Sequence, residues 1–351
     1  MIFTKTPYRI SFFGGGTDYP TWYLKHGGEV LSTTIDKYCY LSCRHLPPFF
    51  NIKHRVVWSH IETVSQISEI LHPAVREGLR YLGFDDAVGL EIHHQGDLPA
   101  RTGMGSSSSF AVGLIKALTA LKGQMIGKHD LAMKAIELEQ KILKDNVGSQ
   151  DQVAAAHGGF NRIHFHTSGD IQVEPIILPT QRLAALEANL MMVYTGASRI
   201  ASEIAGQIIA SLEEKERVLN QMRLLTEKAV SILSSSQDLD GFGALLDENW
   251  MLKRSLTQTI SNTRIDKIYT KAKNAGALGG KLLGAGGAGF MVFYVPKAKR
   301  PAVREALDNY LMVPFKFEHE GSSIIFYNPQ ECDQYGEACE STDPPRMSAA
   351  G

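Results

Sequence analysis

The residues best placed to do chemistry lie in Leu98-Pro-Ala-Arg-Thr-Gly-Met-Gly-Ser-Ser-Ser-Ser-Phe110, where two glycines and four hydroxyls run directly into an apolar helical pattern. Phe110, Leu114, Ile115, Leu118 and Leu121 fall on one face of a helix starting near Ser106. The first N–H groups of such a helix have no partner within it, and its dipole places partial positive charge there, so phosphate is the natural guest. Gly103 and Gly105 let the backbone approach that guest, and the serines offer an N-cap, hydrogen bonds to phosphate and a hydroxyl for Mg2+. A serine-rich cap on an ordinary core helix accounts for the same residues locally.

Two further stretches could serve a polyhydroxylated, anionic substrate. In Pro7-Tyr-Arg-Ile-Ser-Phe-Phe-Gly-Gly-Gly-Thr-Asp-Tyr-Pro20, three glycines leave a strand with Asp18 able to accept two hydroxyl protons and Arg9 able to face anionic oxygen. A glycine turn whose Asp18 caps the next helix is the alternative. The segment Leu131–Leu143 reads as a helix capped by Asp130, with Leu131, Ala135, Leu138 and Ile142 as its apolar stripe. At about 100° per residue Glu139 sits at the edge of that stripe and Glu137 points away, so Glu139 is the carboxylate that can look inward. Just beyond, Asp151 follows Gly148 and Ser149 as a candidate base, with Gln150 and Gln152 able to hold it, or else as a helix cap.

Other polar residues invite weaker readings. Arg44, Lys53, His54 and Arg55 could meet a second anionic group or be scattered surface bases, and Lys253 and Arg254 could reach a phosphate or be solvated. His164 and His166 share a strand face with no third ligand nearby, which fits a surface strand better than a metal site. Gly284, Gly286 and Gly289 match G-x-G-x-x-G, which on spacing alone would suggest an oxidoreductase. They run into the β-rich Phe290-Met-Val-Phe-Tyr-Val295 instead of opening a helix, so a loop between closely approaching backbones is expected in place of a dinucleotide fingerprint.

The elements that must position these residues alternate along the chain. Strands are expected at Ile2–Thr6, over Glu29–Arg44 and at Gly89–His93, with a helix around His72–Leu82. A boundary between about Ser168 and Ala188 separates them from helices over Arg199–Lys215, Arg217–Ser234 and Gly243–Ser255, then a helix Ala302–Leu311 and a closing strand Ser322–Tyr327. The 351 residues, 44% of them hydrophobic, suffice for two domains with a sizeable core. A formal net charge of −1 offers no basic field for nucleic acid or membrane surfaces. With no apolar run long enough for a bilayer and no signal-peptide layout in Met1–Lys5, the expected compartment is the cytoplasm. Four cysteines, Cys39, Cys43, Cys332 and Cys339, are too few for a disulfide-dependent fold; Cys39 and Cys43 read as small buried residues. From Glu331 the chain turns polar, and 331–351 is expected to be a flexible tail.

The three glycine-rich blocks, Pro7–Asp18, Leu98–Ser108 and Lys281–Gly289, resemble in order and separation the motifs of the GHMP family of small-molecule kinases. The resemblance spans nearly the whole chain apart from the tail. It implies an α+β, two-domain GHMP kinase fold: an N-terminal mixed domain with a left-handed β-α-β unit (1–175) and a C-terminal ferredoxin-like domain (176–330). It further implies that Arg101, Thr102, Gly103, Met104, Gly105, Ser106, Ser107, Ser108 and Ser109 wrap the ATP phosphates, that Ser107 and Glu139 hold Mg2+, and that Asp151 is the base, steadied by Arg9. Gly14, Gly15, Gly16, Thr17, Asp18 and Lys253 would meet the substrate, while Gly284, Gly286, Gly287 and Gly289 brace the phosphate loop.

Within the family, Phe13-Gly-Gly-Gly-Thr-Asp18 and Asn249-Trp-Met-Leu-Lys-Arg-Ser255 look most like the D-glycero-D-manno-heptose 7-phosphate kinases. These phosphorylate the anomeric hydroxyl on the way to GDP-heptose. Fucokinase domains carry a similar Gly-Gly-x-Thr-Asp motif, so L-fucose is the rival sugar. A non-catalytic sugar sensor on the same fold is the alternative of another class. The expected partner is a small sugar or sugar phosphate, and the protein a monomer or homodimer, with neither nucleic acid nor membrane as a partner.

Overall fold

The computed structural model describes residues 1–47, 49, 52–196 and 201–328. The tail expected at 331–351, Cys332, Cys339 and the start of the helix expected from Arg199 lie outside the described residues.

The first half runs β1 (Ile2–Phe13), α1 (Pro20–His26), β2 (Gly28–His45), β3 (His54–Val57), β4 (Ile61–Val64), α2 (Pro73–Tyr81) and β5 (Leu90–Gly96). It continues through α3 (Ser106–Leu121), α4 (Lys128–Ile136), a π-helical turn (Glu137–Ile142), α5 (Gln150–His157), β6 (Phe160–Phe165) and β7 (Ile171–Pro175). The second half holds α6 (Thr180–Asn189), β8 (Leu190–Tyr194), α7 (Ala201–Ser211), α8 (Glu216–Ser234), α9 (Asp240–Arg254), α10 (Thr263–Asn274), β9 (Gly279–Leu282), β10 (Phe290–Tyr294) and α11 (Arg300–Ala306). Three short strands close it: β11 (Met312–Val313), β12 (Phe317–Glu318) and β13 (Ser323–Tyr327).

Among the described residues the strands form two sheets. A nine-stranded sheet has the path β13-β1-β2-β5-β3-β4, with β6 and β12 branching from β2 and β7 pairing with β6, and a four-stranded sheet has the order β11-β8-β10-β9. The branch exists because β2 is long. Its N-terminal residues pair with β6 and its C-terminal residues with β5, both antiparallel. Residue 28 to 45 is one strand where the alternation suggested one or two. The closing strand departs from expectation: Ser323–Tyr327 pairs antiparallel with β1 and completes the first sheet instead of the second. Sequence order placed it last, but the free edge it covers belongs to the first strand.

Helix α3 packs its face against β1 and β2, and Leu114, Ile115 and Leu118 are wholly buried. Each such side chain contributes roughly 1.5–3 kcal/mol, so the helix carrying the Gly/Ser loop is fixed by core burial. Cys39 and Cys43 are buried free thiols of β2. No helix among the described residues is long and apolar enough to cross a membrane.

Candidate active site

Four acidic or basic side chains from distant positions meet where β1, α3 and α5 converge. Arg9, on β1, is 3% exposed. Its Nε and Nη2 donate to Oδ1 and Oδ2 of Asp151, each at 2.7 Å, and its Nη1 donates to the Gly103 carbonyl at 2.7 Å. This two-pronged pair ties the base candidate to the Gly/Ser loop through one guanidinium. Asp151 lies in the first turn of α5, where the helix dipole favours a carboxylate, and its side chain is 22% exposed. Loop and carboxylate are in contact: a Cβ added to Gly105 would stand 3.2 Å from Asp151 Oδ2.

The turn that opens α5 serves two further acids, Asp18 and Glu139. Ser149 N donates to the Asp18 carbonyl at 2.9 Å, and Gln150 N approaches Asp18 Oδ2 at 3.4 Å. Gln152 Nε2 donates to Glu139 Oε2 at 2.6 Å. The two glutamines expected beside Asp151 therefore hold Asp18 and Glu139, and Arg9 does the holding of Asp151. Asp18 does not cap α1, whose N-cap is Tyr19. It is 2% exposed, takes the Gly16 N–H at 2.9 Å, and has its carboxyl raised above the ordinary range, first by burial and then by neighbouring Asp151.

Glu139 is buried inside the π-helical turn. The sequence suggests a single α-helix over Leu131–Leu143; the structure ends α4 at Ile136 and widens the next turn, which buries Leu138 and Glu139 together. Ser107 Oγ donates to Glu139 Oε1 at 2.6 Å, and burial raises the carboxyl to about 7 against the lowering effect of its hydrogen bonds to Ser107, Ser108 and Gln152. Glu137 faces the other way and accepts from Tyr81 Oη. A buried carboxylate beside a hydroxyl is an all-oxygen donor pair suited to Mg2+, which is usually held by one or two protein groups and completed by phosphates and water. Among the described residues no three His, Cys, Asp or Glu side chains cluster as a self-sufficient metal site.

The Gly/Ser loop differs from a capped helix start. The N-cap of α3 is Gly105 in the left-handed region (φ 74°), and no side chain caps the helix. The serines instead point elsewhere: Ser106 Oγ accepts from Arg101 N, Ser107 and Ser108 face Glu139, and Ser109 Oγ donates to the Pro7 carbonyl. Thr102 Oγ1 is turned inward to the Pro99 carbonyl, and Met104 is fully buried, so their side chains shape the loop. Thr17 is likewise internal, donating to the Gly14 carbonyl and accepting from Glu29 N. Gly15 remains at the surface of the loop, with Ser11 Oγ and Gln150 Nε2 each 3.7 Å from where its Cβ would be.

The third glycine block abuts the first two. A Cβ on Gly284 would stand 2.3 Å from Gly103 Cα, and one on Gly289 would stand 2.1 Å from the Thr102 carbonyl oxygen. Gly287 N donates to the Ile260 carbonyl, and a Cβ on Gly286 would crowd Ile260 Cα at 2.8 Å. The block connects β9 to β10, which settles the dinucleotide reading against it. Lys253, on α9, is 6% exposed and donates to the carbonyls of Leu282 (2.9 Å) and Gly284 (2.5 Å). Burial, reinforced by Arg9, lowers its ammonium to about 7. Beside it Lys281, which the sequence reading passed over, donates to the Phe12 carbonyl.

The remaining bases stay outside this cluster. Arg44 and Arg55 pair with Glu91, His54 with Asp86, and Arg254 with Asp266. Arg44 lies ten residues along β2 from Thr34, the partner of Arg9, or roughly 33 Å at ordinary strand rise. His164 bridges Glu29 and Glu174 on the sheet.

Comparison with known proteins finds two family models in the chain. The model for the N-terminal domain of GHMP kinases matches residues 69–159, and that for the C-terminal domain matches 227–311. The chain is 28% identical over 343 residues to a D-glycero-alpha-D-manno-heptose 7-phosphate kinase of Campylobacter jejuni, covering 91% of this chain and 97% of that one. It is 27% identical to a bifunctional fucokinase/GDP-fucose pyrophosphorylase of Arabidopsis thaliana, covering 93% of this chain but 32% of that protein. The crystal structure of a D-glycero-D-manno-heptose 1-phosphate kinase from Bacteroides thetaiotaomicron shares the fold, with a TM-score of 0.76 at 23% identity over 93% of this chain and all of that one.

Proposed function

The chain belongs to the GHMP kinase family, and on that premise we propose that it transfers a phosphoryl group from ATP to the anomeric hydroxyl of D-glycero-D-manno-heptose 7-phosphate. The observation that carries the mechanism is the Arg9–Asp151 pair held against Gly103 and Gly105 at the start of α3. It supports the reading because a carboxylate stands beside the uncapped start of a helix, where phosphate can bind. The full-length match to the Campylobacter heptose 7-phosphate kinase supports the sugar.

Phosphoryl transfer asks for positioning and charge neutralisation more than covalent help. In this reading the uncapped amides of α3 bind phosphate oxygens, and Gly103 and Gly105 leave room for them. Asp18 and the Gly14–Gly16 turn hold sugar hydroxyls. Asp151 takes the hydroxyl proton as the new O–P bond forms and the bond to the leaving ADP breaks. Arg9 keeps Asp151 aimed and supplies positive charge beside it. Lys253 keeps one N–H beyond its two carbonyls to meet anionic oxygen. Ser107 and Glu139 would hold Mg2+, which would supply neutralisation of phosphate charge.

³¹P NMR tests the reading with Mg-ATP and four sugars: the heptose 7-phosphate, L-fucose, D-mannose and D-galactose. A new anomeric-phosphate signal with the heptose alone is expected, falling about 10²–10⁴-fold in rate for Asp151→Ala. Turnover of L-fucose in its place would retain the mechanism and discard the substrate. ATP binding with no sugar phosphorylated would replace the enzyme by a sensor.

A further inference from the structure

The mechanism leaves unused a fully buried lysine, and the strand it touches is irregular where they meet. Across the β1–β2 ladder Ser11 faces Ser32 and Phe13 faces Leu31, so Phe12 is an extra residue with no partner opposite it. Such a bulge turns its own peptide out of the ladder. The Phe12 ring stays in the first core, edge-on to Phe160, Phe242 and Phe317, while its carbonyl points toward the second half of the chain. There it accepts from two side chains of different elements, Lys281 Nζ on β9 at 2.9 Å and Asn249 Nδ2 on α9 at 3.1 Å. One residue after the bulge pair begins Gly14-Gly15-Gly16, the turn that ends at Asp18.

We propose that Lys281 and Asn249 are positioning residues that grip the Phe12 carbonyl and thereby set the substrate-facing turn Gly14–Asp18. Lys253 does the equivalent for the phosphate side, through the carbonyls of Leu282 and Gly284 behind Gly103. Neighbouring buried lysines thus govern different loops, one for each substrate. An ionised Lys281 would be costly there, since burial together with Lys253 and Arg9 pushes its ammonium far down; a neutral amine still has an N–H for the carbonyl. Removing the group therefore relieves a burial penalty while freeing the turn, a combination that a purely structural residue would not show.

Lys281→Met, which keeps the stem and deletes the donor, tests this together with Asn249→Ala and the double variant in the full chain. The expected result is an unchanged or higher Tm for Lys281→Met, a sugar KM raised about tenfold, as loss of a hydrogen bond to a buried carbonyl implies, and an ATP KM moved less than about twofold. Asn249→Ala should move sugar KM the same way, and the double variant should depart from the product of the singles because both act on one oxygen. Hydrogen exchange across residues 10–20 should quicken in each variant. The inference rests on the sugar-kinase reading for its KM arm only; if the wild type phosphorylates no sugar in the panel, that reading fails and exchange alone decides. Unchanged exchange at 10–20 would overturn the proposal, as would equal losses in both KM values with a fall in Tm. If Lys281→Met does not fold, Asn249→Ala decides by the same two readouts.

Discussion

Glu139 holds its proton at a pH where an ordinary glutamate has lost it, because burial in its turn outweighs the opposing hydrogen bonds from Ser107, Ser108 and Gln152. Since its carboxyl is raised to about 7, the native state binds more protons than the unfolded chain between the ordinary glutamate range and that value. Its contribution to stability is therefore complete at lower pH and lost as pH rises through about 7. Thermal melts from pH 5 to 8 should show that decline in the wild type and a shallower one in Glu139→Gln, which cannot ionise. The same proton must leave before the carboxylate can hold a cation, so Mg-ATP binding below about pH 7 should release protons, read by calorimetry in buffers of different ionisation enthalpy. Choosing Glu139 over Glu137 was possible from helical rotation alone. Lys281 was not legible in the same way, and Gln152 reads from sequence as a support of Asp151 when it holds Glu139, because a backbone oxygen or a carboxylate brought in from another element leaves no pattern in nearby sequence.

At the scale of elements, α3 depends on a close backbone contact more than on a cap. Gly103 and Gly284 both take positive φ and stand almost face to face. Gly284→Ala should cost the left-handed penalty of about 1–2 kcal/mol plus the clash with Gly103 Cα. Gly123→Ala is the control. It has the same φ of 69° with nothing within 4 Å of its Cβ, so only the first cost applies. Melting temperatures should fall for both, and the KM for ATP should rise about tenfold or more only for Gly284→Ala. The order strand, glycine loop, helix was readable because it depends on local residue types. The π-helical turn and the absence of a serine cap were not, because Glu139 and Ser107 are oriented by each other across the site. Likewise Thr180–Asn189 and Thr263–Asn274 form helices that went unmarked: the first sits among prolines, and the second has a short apolar stripe amid lysines.

For the molecule as a whole, the first sheet is closed by the other end of the chain. β13 lies along β1, and the Met1 amino group donates to the Asn328 carbonyl. A chain ending at residue 322 should bare the outer edge of β1 together with Phe3, which packs on Phe326. It should melt several degrees lower, and a dye that reports exposed apolar surface should bind it; equal melting would mean β13 adds nothing to the sheet. This closure also imposes an order in time. The strand that carries Arg9 is made some three hundred residues before β13, so one flank stays bare until β13 has left the ribosome. An unfinished chain can build α3 and its glycine loop, but not the complete sheet beneath them. The nascent protein therefore carries an adhesive edge from the making of β1 to the arrival of β13, and only then is it safe from its neighbours.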